Sequence, residues 1–159
     1  ETEVDRRLDA IGTREALDLR GRGAVAQGQV AYELFRKAFS GPRWEALAAR
    51  GARVQRPLWA STSTKNPAYP DTLYVDTLIG TDTVNTLPDA TLEAFEDHGT
   101  VARTVDAAPG AARGVLAALT AAGVDLDDVS RRLEEEGVAA FAKSFDELLA
   151  SLTVKAASL

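Results

Sequence analysis

Four consecutive hydroxyl side chains, Ser61-Thr62-Ser63-Thr64, run directly into Lys65 and then into Asn66-Pro67. Hydroxyls and backbone N–H groups offer directional hydrogen bonds to anionic oxygen, and an ammonium supplies the opposite charge. That chemistry suits a phosphate. An apolar lead-in from Val54 to Trp59 makes a strand over residues 55–62, and Pro57 near its start is tolerated because a missing N–H costs little there. A strand that ends in a plain polar loop has the same local appearance. The wider sequence has to decide between the two.

Other residues with reactive side chains are less well placed. Four lysines occur: Lys37, Lys65, Lys143 and Lys155. Lys37 and Lys143 fall on polar faces of amphipathic segments and Lys155 lies in the tail, so all three read as solvated charges. The single histidine, His98, precedes Gly99 and reads as a helix C-terminal residue in a favourable dipole interaction. Glu134, Glu135 and Glu136 are adjacent, and neighbours on a helix point to different sides, so they form a solvated face and not a metal site. Trp44 and Trp59 read as core or interface residues before sugar-stacking platforms.

The elements that must carry these groups follow from periodicity. A helix starts at residue 1 with Val4, Leu8 and Ile11 in phase, and Gly12 stops it. A second helix covers residues 24–39, with Ala24, Ala31, Leu34, Phe35 and Ala38 as its apolar face, and Pro42 opens a short one carrying Trp44 and Leu47. Residues 72–79 are ambiguous: Thr, Tyr, Val and Ile favour a strand, whereas the Leu73, Asp76, Ile79 spacing after Pro70-Asp71 permits a short helix. Residues 82–87 read as a strand, with Pro88 in the first turn of a helix through Asp97. Residues 99–110 are loop. Residues 111–122 are helical, with Val115, Leu116 and Leu119 together and Gly123 as terminator. Asp125 caps a last helix through Val129 and Leu133. Gly137 interrupts it before a stripe of Val138, Phe141, Phe145, Leu148, Leu149 and Leu152.

At 159 residues the chain is long enough for one domain with a core. A net charge of −6 gives no electrostatic footprint for nucleic acid, and no apolar run approaches the ~18–20 residues of a membrane span. No cysteine is present, which excludes disulfides and thiolate metal sites and suits a cytoplasmic location. Methionine is also absent, including at position 1, which points to a processed product or a piece of a longer chain.

Three blocks together carry a family signature: Arg56-Pro-Leu-Trp-Ala-Ser-Thr-Ser-Thr-Lys-Asn-Pro-Ala-Tyr-Pro-Asp71, Thr72-Leu-Tyr-Val-Asp-Thr-Leu-Ile-Gly80 and Thr83-Val-Asn-Thr-Leu-Pro88. Residues 1–12, 124–129 and 143–149 extend it. The sequence resembles the transaldolase family, in its larger actinobacterial and cyanobacterial-like branch. The resemblance implies an α/β fold, the C-terminal part of a (β/α)8 TIM barrel, in which residues 1–159 form a single segment of a partial barrel domain. By that resemblance residues 55–62 and 82–87 are barrel strands seven and eight, 72–79 is the short helix between them, and the chain starts after strand six.

The activity implied is transfer of a dihydroxyacetone unit between sugar phosphates in the pentose phosphate pathway, through a lysine Schiff base and with no metal or organic cofactor. The Schiff-base lysine and its acidic partners lie on earlier strands, so this chain holds no catalytic residue and depends on a missing N-terminal barrel segment. By the same resemblance Ser61, Ser63 and Lys65 bind the substrate phosphate, and Asn85 and Thr86 stand at the active-site mouth. Some transaldolases carry arginine near Lys65, so lysine there marks a branch difference. Two alternatives stay open. The parent could be a fused transaldolase/glucose-6-phosphate isomerase, or the chain could be a non-catalytic phosphosugar-binding or assembly module.

Overall fold

The computed structural model describes residues 1–108 and 110–157. Ten elements follow in order: α1 (Thr2–Ile11), α2 (Arg14–Leu17), α3 (Gly23–Ala38), α4 (Gly41–Ala48), β1 (Leu58–Trp59), α5 (Leu73–Thr77), β2 (Val84–Asn85), α6 (Asp89–His98), α7 (Ala111–Ala121) and α8 (Leu126–Ala157). The architecture is α/β and mostly helical. Its one sheet among the described residues is the parallel pair β1–β2, in register Leu58↔Val84 and Trp59↔Asn85. Parallel neighbours need a crossover. Here it contains α5, so residues 72–79 hold a short helix, Leu73–Thr77, and not a strand.

The strands are shorter than their sequence patterns. Only two residues of each form the ladder, because each strand has a single hydrogen-bonded neighbour and the chain leaves the pair at Ser61 and at Thr86. Arg56 extends the tie beyond the ladder, its guanidinium donating to the carbonyls of Asp82 (3.0 Å) and Thr83 (3.2 Å).

Two compact units divide the chain, Glu1–Val124 and Asp125–Leu159. In the first, a buried cluster of Tyr32, Leu78 and Val105 is flanked by Val25, Phe35 and Trp59. Along α3, Ala26 and Tyr32 are buried and Val25 and Phe35 pack on the cluster; of the expected face Ala24, Ala31, Leu34, Phe35 and Ala38, Phe35 is there, whereas Ala31 and Ala38 are exposed and Leu34 is 55% exposed. Gly28 makes this packing possible: a Cβ there would sit 3.0 Å from the Leu78 side chain. Gly80 is more constrained, since a Cβ would lie 2.3 Å from Val105. Trp59 takes the core role, its indole N–H donating to the Leu78 carbonyl at 2.9 Å. Trp44 packs edge-on against Phe39 at 4.8 Å.

Chain ends of helices follow local rules. Gly12 closes α1 in the left-handed region (φ 71°), its N–H bonding the Leu8 carbonyl. The short α2, which the sequence pattern did not signal, is capped by the Thr13 hydroxyl. Pro88 caps α6 from outside its first turn, with extended backbone.

In the second unit, the Asp125 carboxylate accepts from the N–H groups of Asp127 and Asp128 at 3.0 Å and starts α8. The helix then runs unbroken through Gly137. A mid-helix glycine costs only about 1 kcal/mol against alanine, and i,i+4 pairs such as Arg131–Glu135 and Arg132–Glu136 flank it. Among the described residues, no helix is long and apolar enough to cross a membrane.

Candidate functional site

Because β1 and β2 are parallel, their C-terminal ends open on the same side. Backbone bonds Val84 N–H to Pro57 and Thr86 N–H to Trp59, both 2.9 Å, set the alignment. Just past β1, Ser61 adopts φ 57°, the left-handed region that a non-glycine residue enters only at a cost. The next residue, Thr62, is buried at 4% exposure and donates its hydroxyl to Asn85 Oδ1 at 2.7 Å. The two strand ends are thereby stitched side chain to side chain, with the Thr86 carbonyl 3.3 Å from the same hydroxyl.

The remaining hydroxyls divide between scaffold and surface. Thr64 donates to the Pro70 carbonyl at 2.8 Å and so closes the loop on itself. Asn66 accepts the Ala68 N–H on its side-chain oxygen at 3.0 Å, an Asx turn ahead of the chain reversal at Pro67. Ser61 is exposed and Ser63 half-buried. The exposed Lys65 ammonium donates to Ser63 Oγ. A hydroxyl and a cation are thus brought together in the loop that follows β1, with Ser61 two residues before Ser63. Asn85 and Thr86 belong to the C-terminal end of β2, but Asn85 spends its carboxamide oxygen on Thr62.

The backbone N–H groups of this loop are not free for an anion. Those of Lys65 and Asn66 both donate to the Glu1 carboxylate, at 3.1 and 2.6 Å to Oε1. The Tyr74 hydroxyl donates to Glu1 Oε2 at 2.5 Å. Burial pushes the Glu1 carboxyl up, yet the hydrogen bonds from Tyr74, Lys65 and Asn66 outweigh it and hold the group below the usual carboxylate range. One turn along α1, Asp5 accepts from the Tyr69 hydroxyl (2.7 Å) and the Gly21 N–H (3.0 Å). Burial first, and then the bond to Asp5, push the Tyr69 hydroxyl up to about 12. Sequence reasoning missed Glu1, Tyr74 and Thr62 as organisers of the loop. Only the run of hydroxyls hinted at Thr62, and nothing local hinted at Glu1, which lies 64 residues from Lys65.

A depression of about 350 Å³ on one side of Lys65 is bordered by the carboxylates of Glu1, Asp5 and Asp9 together with the cations of Arg6 and Lys65. A larger groove of about 540 Å³, lined by Tyr32, Val105 and the Glu33–Arg113 pair, contains none of the hydroxyl-loop residues.

The remaining candidates keep structural roles. His98 bridges Asp71 (Nε2 to Oδ1, 2.8 Å) and Asp97 (Nδ1 to Oδ2, 3.1 Å), joining the end of α6 to the segment before α5. Lys143 pairs with Glu147 at 3.7 Å. Glu135 and Glu136 pair with arginines along α8. Among the described residues, no group of three or more His, Cys, Asp or Glu side chains could hold a metal ion.

The sequence pattern that defines the Transaldolase/Fructose-6-phosphate aldolase family matches residues 4–152. The chain is 55% identical over 153 residues to a transaldolase of Frankia alni, covering 96% of this chain and 41% of that protein. It is 57% identical over 150 residues to a transaldolase of Parafrankia, covering 94% and 41%. It is 51% identical over 154 residues to transaldolase 1 of Streptomyces coelicolor, covering 96% and 40%. The chain therefore spans about two fifths of the length of these relatives.

Proposed function

Because the chain belongs to the transaldolase/fructose-6-phosphate aldolase family, we propose that it is the C-terminal segment of a transaldolase barrel. In this reading β1 and β2 are barrel strands seven and eight, α5 lies in the crossover between them, and residues 1–159 belong to one partial barrel domain. The intact enzyme transfers a dihydroxyacetone unit between sugar phosphates in the cytoplasm, within the pentose phosphate pathway. A lysine of the missing N-terminal barrel segment forms the Schiff base, so the protein itself supplies the electron sink and no further cofactor is called for. This chain supplies the grip on the substrate phosphate: Lys65 as the cation, Ser61 and Ser63 as hydroxyl donors. Asn85 and Thr86 shape the rim of the same opening, with Asn85 acting through Thr62.

One observation carries the reading. In the loop that leaves the C-terminal end of β1, the positive-φ Ser61, Ser63 and Lys65 stand in sequence, with the Lys65 ammonium on Ser63 Oγ. Ligands of parallel α/β folds bind beyond the carboxyl ends of the strands. Replacing Lys65 with alanine in the full-length parent removes a charge-assisted contact worth roughly 1.5–3 kcal/mol. The expected loss in kcat/KM on a phosphorylated ketose is about 10- to 150-fold. Borohydride trapping of the substrate should persist at higher concentration, because the nucleophile is elsewhere. Unphosphorylated ketoses should change little. An equal loss on both substrate classes would assign Lys65 to the fold or the chemistry and defeat the phosphate assignment.

A further inference from the structure

A phosphate loop normally exposes its backbone N–H groups, whereas this one turns two of them away from the strand-end side. The N–H groups of Lys65 and Asn66 both go to a single carboxylate, that of Glu1. The same carboxylate takes the hydroxyl of Tyr74 from within α5. Its neighbour one helical turn on, Asp5, is buried and takes the hydroxyl of Tyr69, midway between. Two carboxylates spaced i, i+4 at the start of α1 thus anchor the beginning, middle and end of residues 65–74. They add to the bonds made inside the loop, from Thr64 to the Pro70 carbonyl and from the Ala68 N–H to Asn66.

We propose that Glu1 is a positioning residue for substrate phosphate, fixing the Lys65 backbone so that the ammonium is presented with Ser61 and Ser63 on the strand-end side. This rests on the phosphate-binding reading of Lys65 given above. Three features tie Glu1 to that task beyond general stability. The carboxylate grips Lys65 itself and the residue after it, so its loss would free the residue that carries the cation. The hydrogen bonds from Tyr74, Lys65 and Asn66 all favour the ionised carboxylate of Glu1, so the grip persists across physiological pH. The depression beside Lys65 carries three carboxylates, Glu1, Asp5 and Asp9, against Arg6 and Lys65 itself, so its charge does not favour an anion on that side. With those two N–H groups taken, the Lys65 ammonium and the Ser61 and Ser63 hydroxyls are side-chain donors whose placement depends on the backbone behind them.

The test uses the full-length parent and compares a phosphorylated with an unphosphorylated ketose for Glu1→Ala, Glu1→Gln, Lys65→Ala and Glu1→Ala/Lys65→Ala. Loss of the anchor is expected to raise KM for the phosphorylated ketose on the order of tenfold, the low end of what misplacing a substrate-holding group costs, with kcat nearly unchanged. Glu1→Gln, which keeps an acceptor oxygen for the two N–H groups, should recover most of that. In the Lys65→Ala background Glu1→Ala should add little, since the cation it positions is gone. Equal losses on both ketoses, or full additivity with Lys65→Ala, would overturn the proposal and leave Glu1 a stability residue. Should Glu1→Ala fail to fold, a Glu1→Gln enzyme with a depressed kcat on both ketoses would overturn it just as well. If Lys65→Ala itself shows no phosphate-selective loss, the reading beneath the proposal fails; if Lys65→Ala does and the Glu1 variants do not, only the role of Glu1 fails.

Discussion

The strand-end loop and the last helix are held together in opposite ways. In the loop, the bonds that fix the backbone reach far along the chain: Glu1 to Lys65 spans 64 residues, Glu1 to Tyr74 spans 73 and Thr62 to Asn85 spans 23. In α8 the pairs Arg131–Asp128, Arg131–Glu135 and Arg132–Glu136 span three or four residues, as do the hydroxyl back-bonds of Ser130 and Thr153. The loop has almost no secondary structure of its own and is nevertheless specified, because distant groups over-determine it. The helix is regular throughout, yet its apolar stripe is open: Val138, Phe141, Phe145, Leu148, Leu149 and Leu152 are between 48% and 81% exposed. Regularity and completeness are separate properties. A helix needs only its own neighbours to form, whereas burial of its face requires something else.

That contrast is broken most visibly at the helix. The 159-residue chain should self-associate at micromolar concentration, since each phenylalanine removed from water contributes about 1.5–3 kcal/mol. Size-exclusion chromatography with light scattering should show oligomers, and the double change Phe141→Glu/Phe145→Glu should shift them toward monomer. Far-UV circular dichroism should change little between the two. A wild-type chain that runs as a cooperatively melting monomer would remove the open-face account of α8 and favour a stand-alone module.

The loop should respond to a change that leaves volume alone. Thr62→Val keeps the shape but takes away the donor to Asn85 Oδ1 at a buried position, at a cost of about 1–3 kcal/mol for the oxygen left unmatched. Urea titration should show a lower midpoint with an unchanged slope, and Asn85→Ala in that background should add less than it does alone. Full additivity would mean that the stitch between the strand ends contributes nothing.

How far the sequence discloses each region follows the same divide. Helical periodicity located α1, α3, α6, α7 and α8, because that signal is local. For α3 it includes Phe35, which packs on the core, but also Leu34, which is exposed, and it leaves out Tyr32, since hydrophobicity says less than the glycine at 28 that lets Leu78 approach. It also overstated the break at Gly137. The strands were placed correctly at their centres and drawn too long, because strand length depends on partners. For residues 72–79 composition left two options, and the family resemblance chose the helix. The hydroxyl–lysine run marked the loop by residue type alone. Its anchors at Glu1 and Asp5 were invisible, since nothing in a carboxylate's neighbours says which backbone it will hold across 64 residues.

A smaller effect sharpens the comparison at the edge of the loop. The bonds to Asp71 and then Asp97 hold the His98 pKa above its unfolded value, and the imidazolium in turn holds the Asp71 carboxyl low. A raised folded pKa means the stabilisation is fully present below the unfolded value near 6.5 and fades as pH rises through the folded one. From Asp71 the opposite holds: its share is present above the unfolded carboxylate value and fades as pH falls. The melting temperature of the chain should therefore decline slightly on the alkaline side of this window, and His98→Gln should abolish that decline. The group is exposed, so the change is small and should shrink in high salt. A His98 NMR titration at or below 6.5 would contradict it.

The central claim is that the strand-end side of this loop holds phosphate. Competitive inhibition of the full-length parent by inorganic phosphate tests it without any sugar. Lys65→Ala should raise the inhibition constant by at least about tenfold, matching loss of one charge-assisted contact, and Ser61→Ala by less. The wild-type constant should also rise with ionic strength more steeply than that of the variant. An inhibition constant that Lys65→Ala leaves unchanged would contradict the assignment.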